Sequence, residues 1–397
     1  MDKLGFEVAQ GVGKSTEGFR VHALDGLRGW ASLAVASFHL VVLPLGIYVP
    51  GLMRPIPYAF TNGELAVTIF FVMSGLALSI PFWKSPTYTS VLKLSSARYI
   101  RITIPIIGAC FLANAMIYVF GNHASLAGRI LDSPMYMKFD QGFLPWLHVA
   151  FYSTVLVYIH PDNHTPIPFL WTMRTELFGS FFLFVTFLVG LRTSHVRSVL
   201  FVSLVFLAAI GLNLAAFFVG ALVGYLLVRT DALRPSPSRV VSVAGAAAIL
   251  AMIFVMNALR NSGHSGVLVT TIFATAIIVV ALKSLAVRQF LSNRLSLFLG
   301  AVSFPLYLTH YVVFTAAIPA AIIAADEQAV LTPWLALLIS VSGVALALGV
   351  AVVFMPVERF SISLSRQFST FATARVQRIF PRRFFISESG NAVDIGR

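Results

Sequence analysis

The sequence predicts an all-α fold: a polytopic membrane helical bundle of about ten transmembrane helices with both termini cytoplasmic. Three observations carry this expectation. The 397 residues are 58% hydrophobic and only 11% charged, where soluble domains carry about 25% charged residues; mean hydropathy is +0.87. Apolar runs near 20 residues recur along the whole length, each able to cross roughly 30 Å of hydrocarbon. The basic residues also sort by side. With residues 1–23, 84–101, 191–197, 229–239, 283–294 and 356–397 in the cytoplasm, those segments hold twenty-two Lys and Arg. The opposite loops hold four, Arg54, Arg129, Lys138 and Arg260, which is the positive-inside pattern.

The same features exclude other classes. An outer-membrane barrel needs strands of about 10 alternating residues, and none is present. The net charge of +13 sits in short loops, so it marks cytoplasmic anchoring rather than nucleic-acid binding. Cys110 is the single cysteine and cannot form an internal disulfide. Residues 1–23 are polar and lack the apolar core of a cleaved leader. "GVGKST", Gly11 to Thr16, resembles a phosphate loop, but the required earlier glycine is Val8 and no apolar strand precedes it.

In chain order, the first helix is expected at 24–45, within "LDGLRGWASLAVASFHL". Residues 11 apart are rotated by about three turns plus 20° and lie about 16 Å apart along the axis. Arg28 at the cytoplasmic end and His39 near mid-membrane therefore share a face, and Asp25 is placed to pair with Arg28. Ionisable groups at the depth of His39 are costly and commonly functional, although a snorkelling arginine and a packing histidine fit the same pattern. The second helix, 63–83, starts at Glu64 on the outer side. Its Ser74-Gly75 pair lets either a ligand or a neighbouring helix come close. The third, 102–121, follows "SSARYIRITIP", where Arg98 and Arg101 stand three apart. Such guanidinium groups grip phosphate or anchor the helix.

The stretch 143–160, "FLPWLHVAFYSTVLVYIH", is apolar enough to span. A span there would invert every later loop, so a re-entrant or interfacial segment on the outer side is expected. The helix at 169–190 carries Arg174 and Glu176 one to two turns below the outer surface. Residues two apart face different ways and need separate partners. Shorter helices at 198–211 and 213–229 form a hairpin around Gly211 and Asn213, followed by 240–258 and 265–283. The helix at 295–316 places Ser303, Tyr307 and His310 on one stripe at i, i+4 and i+7, and Pro305 frees a backbone carbonyl there. The last helix is 333–355. From Ser361 the tail is basic and is expected to rest on anionic lipid as a cytosolic arm. The chain thus divides into a cytoplasmic segment 1–23, a membrane domain 24–356 and a basic cytoplasmic tail 357–397.

Taken in order, "LDGLRGWASLAVASFHL", "FFVMSGLAL", "RYIRITIP", "LWTMRTELFGS" and "SFPLYLTH" resemble the acyltransferase family 3, integral membrane enzymes that O-acylate cell-surface glycans and some secondary metabolites. The pieces extend over residues 24–311. The resemblance implies that Arg28 and His39 are the principal functional pair, that Arg98 and Arg101 are the basic pair after the second helix, and that Glu176 and His310 belong to the site. One motif departs: the family often reads W-S-L-x-x-E where this chain has Trp171, Thr172, Met173, Arg174, Thr175 and Glu176. Some members add an extracytoplasmic hydrolase-like domain; this chain ends about 40 residues after its last helix, so none is expected.

The reaction so implied moves an acyl group, acetyl in the first instance, from cytosolic acyl-CoA to a hydroxyl of a glycan, a lipid-linked sugar or a small acceptor. Arg28, Arg98 and Arg101 would hold the donor phosphates, and Ser74, Arg174 and Tyr307 would bind substrate. Neutral histidine suits deprotonation of an alcohol, which makes His39 the base or a transient acyl carrier. Asp25, about 21 Å away along the axis, is too far to orient it, a task left to Glu176 or the Ser303–Tyr307–His310 stripe. No metal and no tightly bound cofactor is expected, and the setting is a bacterial inner membrane. A transporter is the rival reading, disfavoured by the absence of internal repeats.

Overall fold

The computed structural model describes residues 22–161, 164–236 and 238–379. The "GVGKST" stretch and the end of the tail lie outside them. In chain order the principal helices are α1 (His22–Leu45), α2 (Gly63–Lys84), α3 (Tyr88–Phe120), α4 (Trp146–Ile159), α5 (Trp171–Thr193), α6 (Val196–Ala209), α7 (Ala215–Arg229), α8 (Arg239–Asn261), α9 (Val267–Lys283), α10 (Arg294–Glu327) and α11 (Pro333–Ile379). Seven are long and apolar enough to cross a bilayer; α4, α6, α7 and α9 are shorter. Among the described residues the β-pairing is one isolated bridge, Ser236–Ser284. Outward-facing Phe201, Val202, Val205 and Phe206 on α6 show where lipid replaces protein.

Helix starts follow local capping chemistry. The side chains of Asn62, Thr87, Ser238 and Asn293 accept the exposed N–H groups at the starts of α2, α3, α8 and α10. Two helices outrun their apolar cores. α3 begins at residue 88 rather than 102, and α11 continues to residue 379 rather than 355. Hydropathy reports only the length inside hydrocarbon; beyond it, packing decides. Ser361, Ser365, Ser369 and Thr373 recur every fourth residue on α11 and are buried. Ser361 Oγ donates to the carbonyls of Ile100 and Arg101, and Ser369 Oγ to that of Lys93 at 2.7 Å. The segment from Ser361, expected as a cytosolic arm on anionic lipid, is through Ile379 a helix packed on the start of α3.

The stretch 143–160 follows the path of a hairpin. Trp146 stacks on Phe111 of α3, and further along Tyr158 shares a hydrogen bond with Thr103. The chain then turns back: Tyr152 donates to the Pro161 carbonyl and His148 to that of His164.

Two pairs of helices come close through glycine. A Cβ on Gly29 of α1 would strike the backbone of Leu299 and Gly300, and one on Gly300 of α10 would strike the Asp25 carbonyl. Gly75 of α2 and Gly220 of α7 likewise meet the carbonyls of Phe217 and Val72. Without a hydrophobic drive between helices in lipid, such backbone contact supplies the dispersion that holds them together. The two residues of Ser74-Gly75 therefore divide: the glycine packs on α7 and the serine faces inward.

Candidate active site

Two cavities lie end to end along the same helices. The smaller, 350 Å³, takes Gly63, Glu64 and Thr68 from α2 and Val35, Phe38 and His39 from α1. The larger, 680 Å³, takes Met73 to Lys84 from the other half of α2 and Leu24, Asp25 and Arg28 from the other end of α1. Val67, Phe71, Thr172 and Tyr307 line both. They form a partition between a histidine cavity and an arginine cavity. Thr172 and Tyr307 are hydroxyl to hydroxyl at 2.5 Å, and Tyr307 donates to the Phe169 carbonyl at 2.6 Å. A carbonyl only accepts, so the Tyr307 proton is committed to it and Thr172 donates to the tyrosine oxygen.

His39 sits in a wider π-helical turn of α1, Phe38–Val42, a feature often found at functional sites. Its Nδ1 is 3.0 Å from His310 Nε2, and His310 Nδ1 is 3.1 Å from the Leu306 carbonyl. The carbonyl settles the tautomers of the neutral pair. His310 carries its proton on Nδ1 and donates it to Leu306; its Nε2 must then accept, so His39 donates from Nδ1. That leaves the lone pair on His39 Nε2 free. Phe169 lies flat against both rings, with centroids at 3.7 Å from His39 and 5.1 Å from His310. The Tyr307 bond to the Phe169 backbone thus ties the partition to the histidine pair.

Of the two orienters left open for His39, the contact is made by His310. Glu176 is in the arginine cavity, where it pairs with Arg98 and accepts from Ser74 Oγ at 2.5 Å. Arg98 Nε also donates to Ser180 Oγ at 2.7 Å, and Ser180 Oγ to the Glu176 carbonyl. Arg101 pairs with Glu358 of α11 at 3.5 Å, and Arg28 with Asp25 at 3.7 Å while donating to the Gly300 carbonyl. With Lys84, four cations share the cavity with three carboxylates, so the charge of the three arginines expected to hold the donor phosphates is largely neutralised from within. Arg28 and Arg101 remain the more open of the arginines, at 41% and 34% exposure against 13% for Arg98.

The stripe on α10 divides by depth: Ser303 lines the arginine cavity, Tyr307 stands in the partition, and His310 lies buried behind His39. Arg174 joins neither cavity and is exposed. Two residues on a helix are rotated by about 200°, so a Glu176 that faces inward turns Arg174 outward. The structure thus brings Arg174, expected to bind substrate, to neither of the two cavities. Sequence reasoning missed Phe169, Thr172 as a partition residue, and Glu358. Glu358 had a signal, being one of only fifteen acidic residues and one helical turn from an expected membrane end. Phe169, among 35 phenylalanines, had none.

A family model described as an acyltransferase domain, that of acyltransferase family 3, matches residues 21–355. No curated protein and no solved structure matches the chain.

Proposed function

The chain belongs to acyltransferase family 3 and is an integral membrane acyltransferase acting on groups other than amino-acyl groups, and on that premise we propose that it carries an acyl group from cytosolic acyl-CoA across the Thr172–Tyr307 partition to an acceptor hydroxyl in the histidine cavity. The donor is acetyl-CoA in the first instance, the acceptor a glycan or lipid-linked sugar, and the setting a bacterial inner membrane. One observation carries the reading: a cavity holding the arginines and a cavity holding a histidine with a free lone pair share a wall of Val67, Phe71, Thr172 and Tyr307.

In this mechanism Arg28, Arg101 and Lys84 meet the donor phosphates, while Phe70, Met73 and Phe304 line the apolar path of the pantetheine arm. The thioester carbonyl reaches the partition. His39 Nε2 takes the proton of the acceptor hydroxyl as its oxygen attacks the carbonyl carbon. The charge gained by His39 is stabilised through its Nδ1–H bond to His310. When the C–S bond breaks, the CoA thiolate leaves and takes up one proton, so the products are an ester and free CoA. Tyr307 turns its O–H from the Phe169 carbonyl to the thioester oxygen, supporting the negative charge that develops there.

Incubating the purified protein with radiolabelled acetyl-CoA and candidate glycans tests the activity; a transporter would form no labelled ester. The Tyr307→Phe variant keeps the ring and removes the donor. Its kcat is expected to drop about 10²-fold with the KM for acetyl-CoA held within about twofold. Equal loss in both constants would show a packing role instead.

The proposal also places both termini in the cytoplasm, with ten helices crossing and α4 entering and leaving on the outer side. The hairpin path of α4 and the distribution of basic residues support this. Ser194, exposed after α5, is then cytoplasmic. In a background lacking Cys110, Ser194→Cys is expected to resist impermeant thiol reagents in intact cells and to react after lysis. Efficient labelling from outside would invert the later helices.

A further inference from the structure

The mechanism above uses the floor of the histidine cavity and leaves its rim unexplained. Glu64 of α2, Arg260 at the end of α8, Thr270 of α9 and Trp171 at the start of α5 meet there. Glu64 and Arg260 approach to 3.6 Å, in ion-pair contact but beyond a direct hydrogen bond. The guanidinium is placed over the Tyr58 ring, 5.6 Å from its centroid. Thr270 shares its hydroxyl proton between the Gly266 carbonyl at 3.1 Å and Glu64 at 3.3 Å. A carboxylate offers about four acceptor positions and a guanidinium five donors, so most of the capacity of this pair is unspent. Trp171 adds a ring that is 43% exposed.

Each property selects against some ligands. The cation and the carboxylate neutralise one another, so an anionic ligand attracted by Arg260 also meets Glu64. A plain aliphatic alcohol has one hydroxyl, and with that hydroxyl at His39 it has none left to engage either charged group. A vicinal diol answers both: one hydroxyl donates to Glu64 and its neighbour accepts from Arg260, while the C–H face of the ring covers the Trp171 indole. The 350 Å³ volume is at the small end of ligand pockets and suits a single ring with the remainder of the molecule outside. We propose that Glu64, Arg260 and Trp171 form the acceptor subsite, gripping a vicinal diol of a neutral sugar ring so that another hydroxyl of that ring reaches His39 Nε2. This rests on the acyl-transfer reading and narrows its acceptor.

The full chain in lipid nanodiscs, given labelled acetyl-CoA, tests the proposal with methyl glycosides of glucose, galactose, mannose and rhamnose, with methyl glucuronide, and with 1-propanol. A neutral glycoside is expected to accept label in preference to the glucuronide and to propanol. Glu64→Gln and Arg260→Gln are each expected to raise the KM for that glycoside about tenfold, the effect of one lost charge-assisted bond, with the KM for acetyl-CoA held within about twofold. Glu64→Asp, which keeps the charge, is expected to lie between. The unchanged donor KM shows that a variant is folded. An unchanged glycoside KM in both Gln variants overturns the subsite. Preference for the glucuronide or propanol overturns the ligand class while leaving acyl transfer standing. Failure of the unmodified protein to acylate anything in the set or any candidate glycan overturns both.

Discussion

His39→Gln is expected to lower acyl transfer by about 10²–10⁴-fold, the usual cost of losing a general base, in a protein that remains folded and still binds acyl-CoA. Glutamine is a close mimic of the contacts made by this histidine. Its amide N–H can donate to His310 Nε2 as His39 Nδ1 does at 3.0 Å. It cannot accept a proton at neutral pH. His39→Ala is a poorer test, because it opens a space against Phe169 and leaves His310 without its donor, lowering stability along with activity. His310→Gln should be milder, since a side-chain carbonyl still accepts from His39 Nδ1 and only the spread of charge is lost. Wild-type turnover in the folded His39→Gln protein would remove His39 from the chemistry. Loss in His310→Gln equal to that in His39→Gln would mean that the pair acts as one unit.

The second large effect concerns Arg98 and Glu176, whose side chains are only 13% and 14% exposed. Removing one partner strands the other as a buried charge, at a cost of about 3–5 kcal/mol. Arg98→Gln and Glu176→Gln are each expected to lower the unfolding midpoint steeply, while the double variant recovers most of the loss because no unpaired charge remains. Thermal unfolding of the four proteins in one detergent completes the cycle. A donor-binding role for Arg98 predicts something else: a raised KM for acyl-CoA, unchanged stability, and no dependence on Glu176. Additive destabilisation in the double variant would rule out the coupling and return Arg98 to the phosphate site beside Arg101.

The two predictions divide the polar residues by a distinction that chain order conceals. Arg98 and Arg101 look alike as a pair three residues apart at a helix start. In the folded chain one is tied to Glu176 of α5 and the other to Glu358 of α11, and the second is the more exposed. Arg174 and Glu176 look like two buried charges in one motif, but the 200° or so between them puts the arginine on the outside. The tail from Ser361 reads as a charged arm, and the serines spaced every four residues make it a packing helix instead.

By itself the sequence determined the membrane class and the apolar character of the helices, and it singled out the few ionisable groups within them. Hydrocarbon acts on each helix separately and excludes ionisable side chains wherever they lack a purpose, so Arg28, His39, Glu176 and His310 stood out in a run of apolar residues without any knowledge of their neighbours. Only the tertiary structure decided who pairs with whom. His39 and His310 are 271 residues apart and Arg98 and Glu176 are 78 apart. Their meeting depends on which helices touch and at what register; for His39 and His310, on α1 and α10, that register is set by backbone contact at Gly29 and Gly300. A glycine in a membrane helix records that something comes close, not what; the identity of the partner is a property of the packed bundle alone.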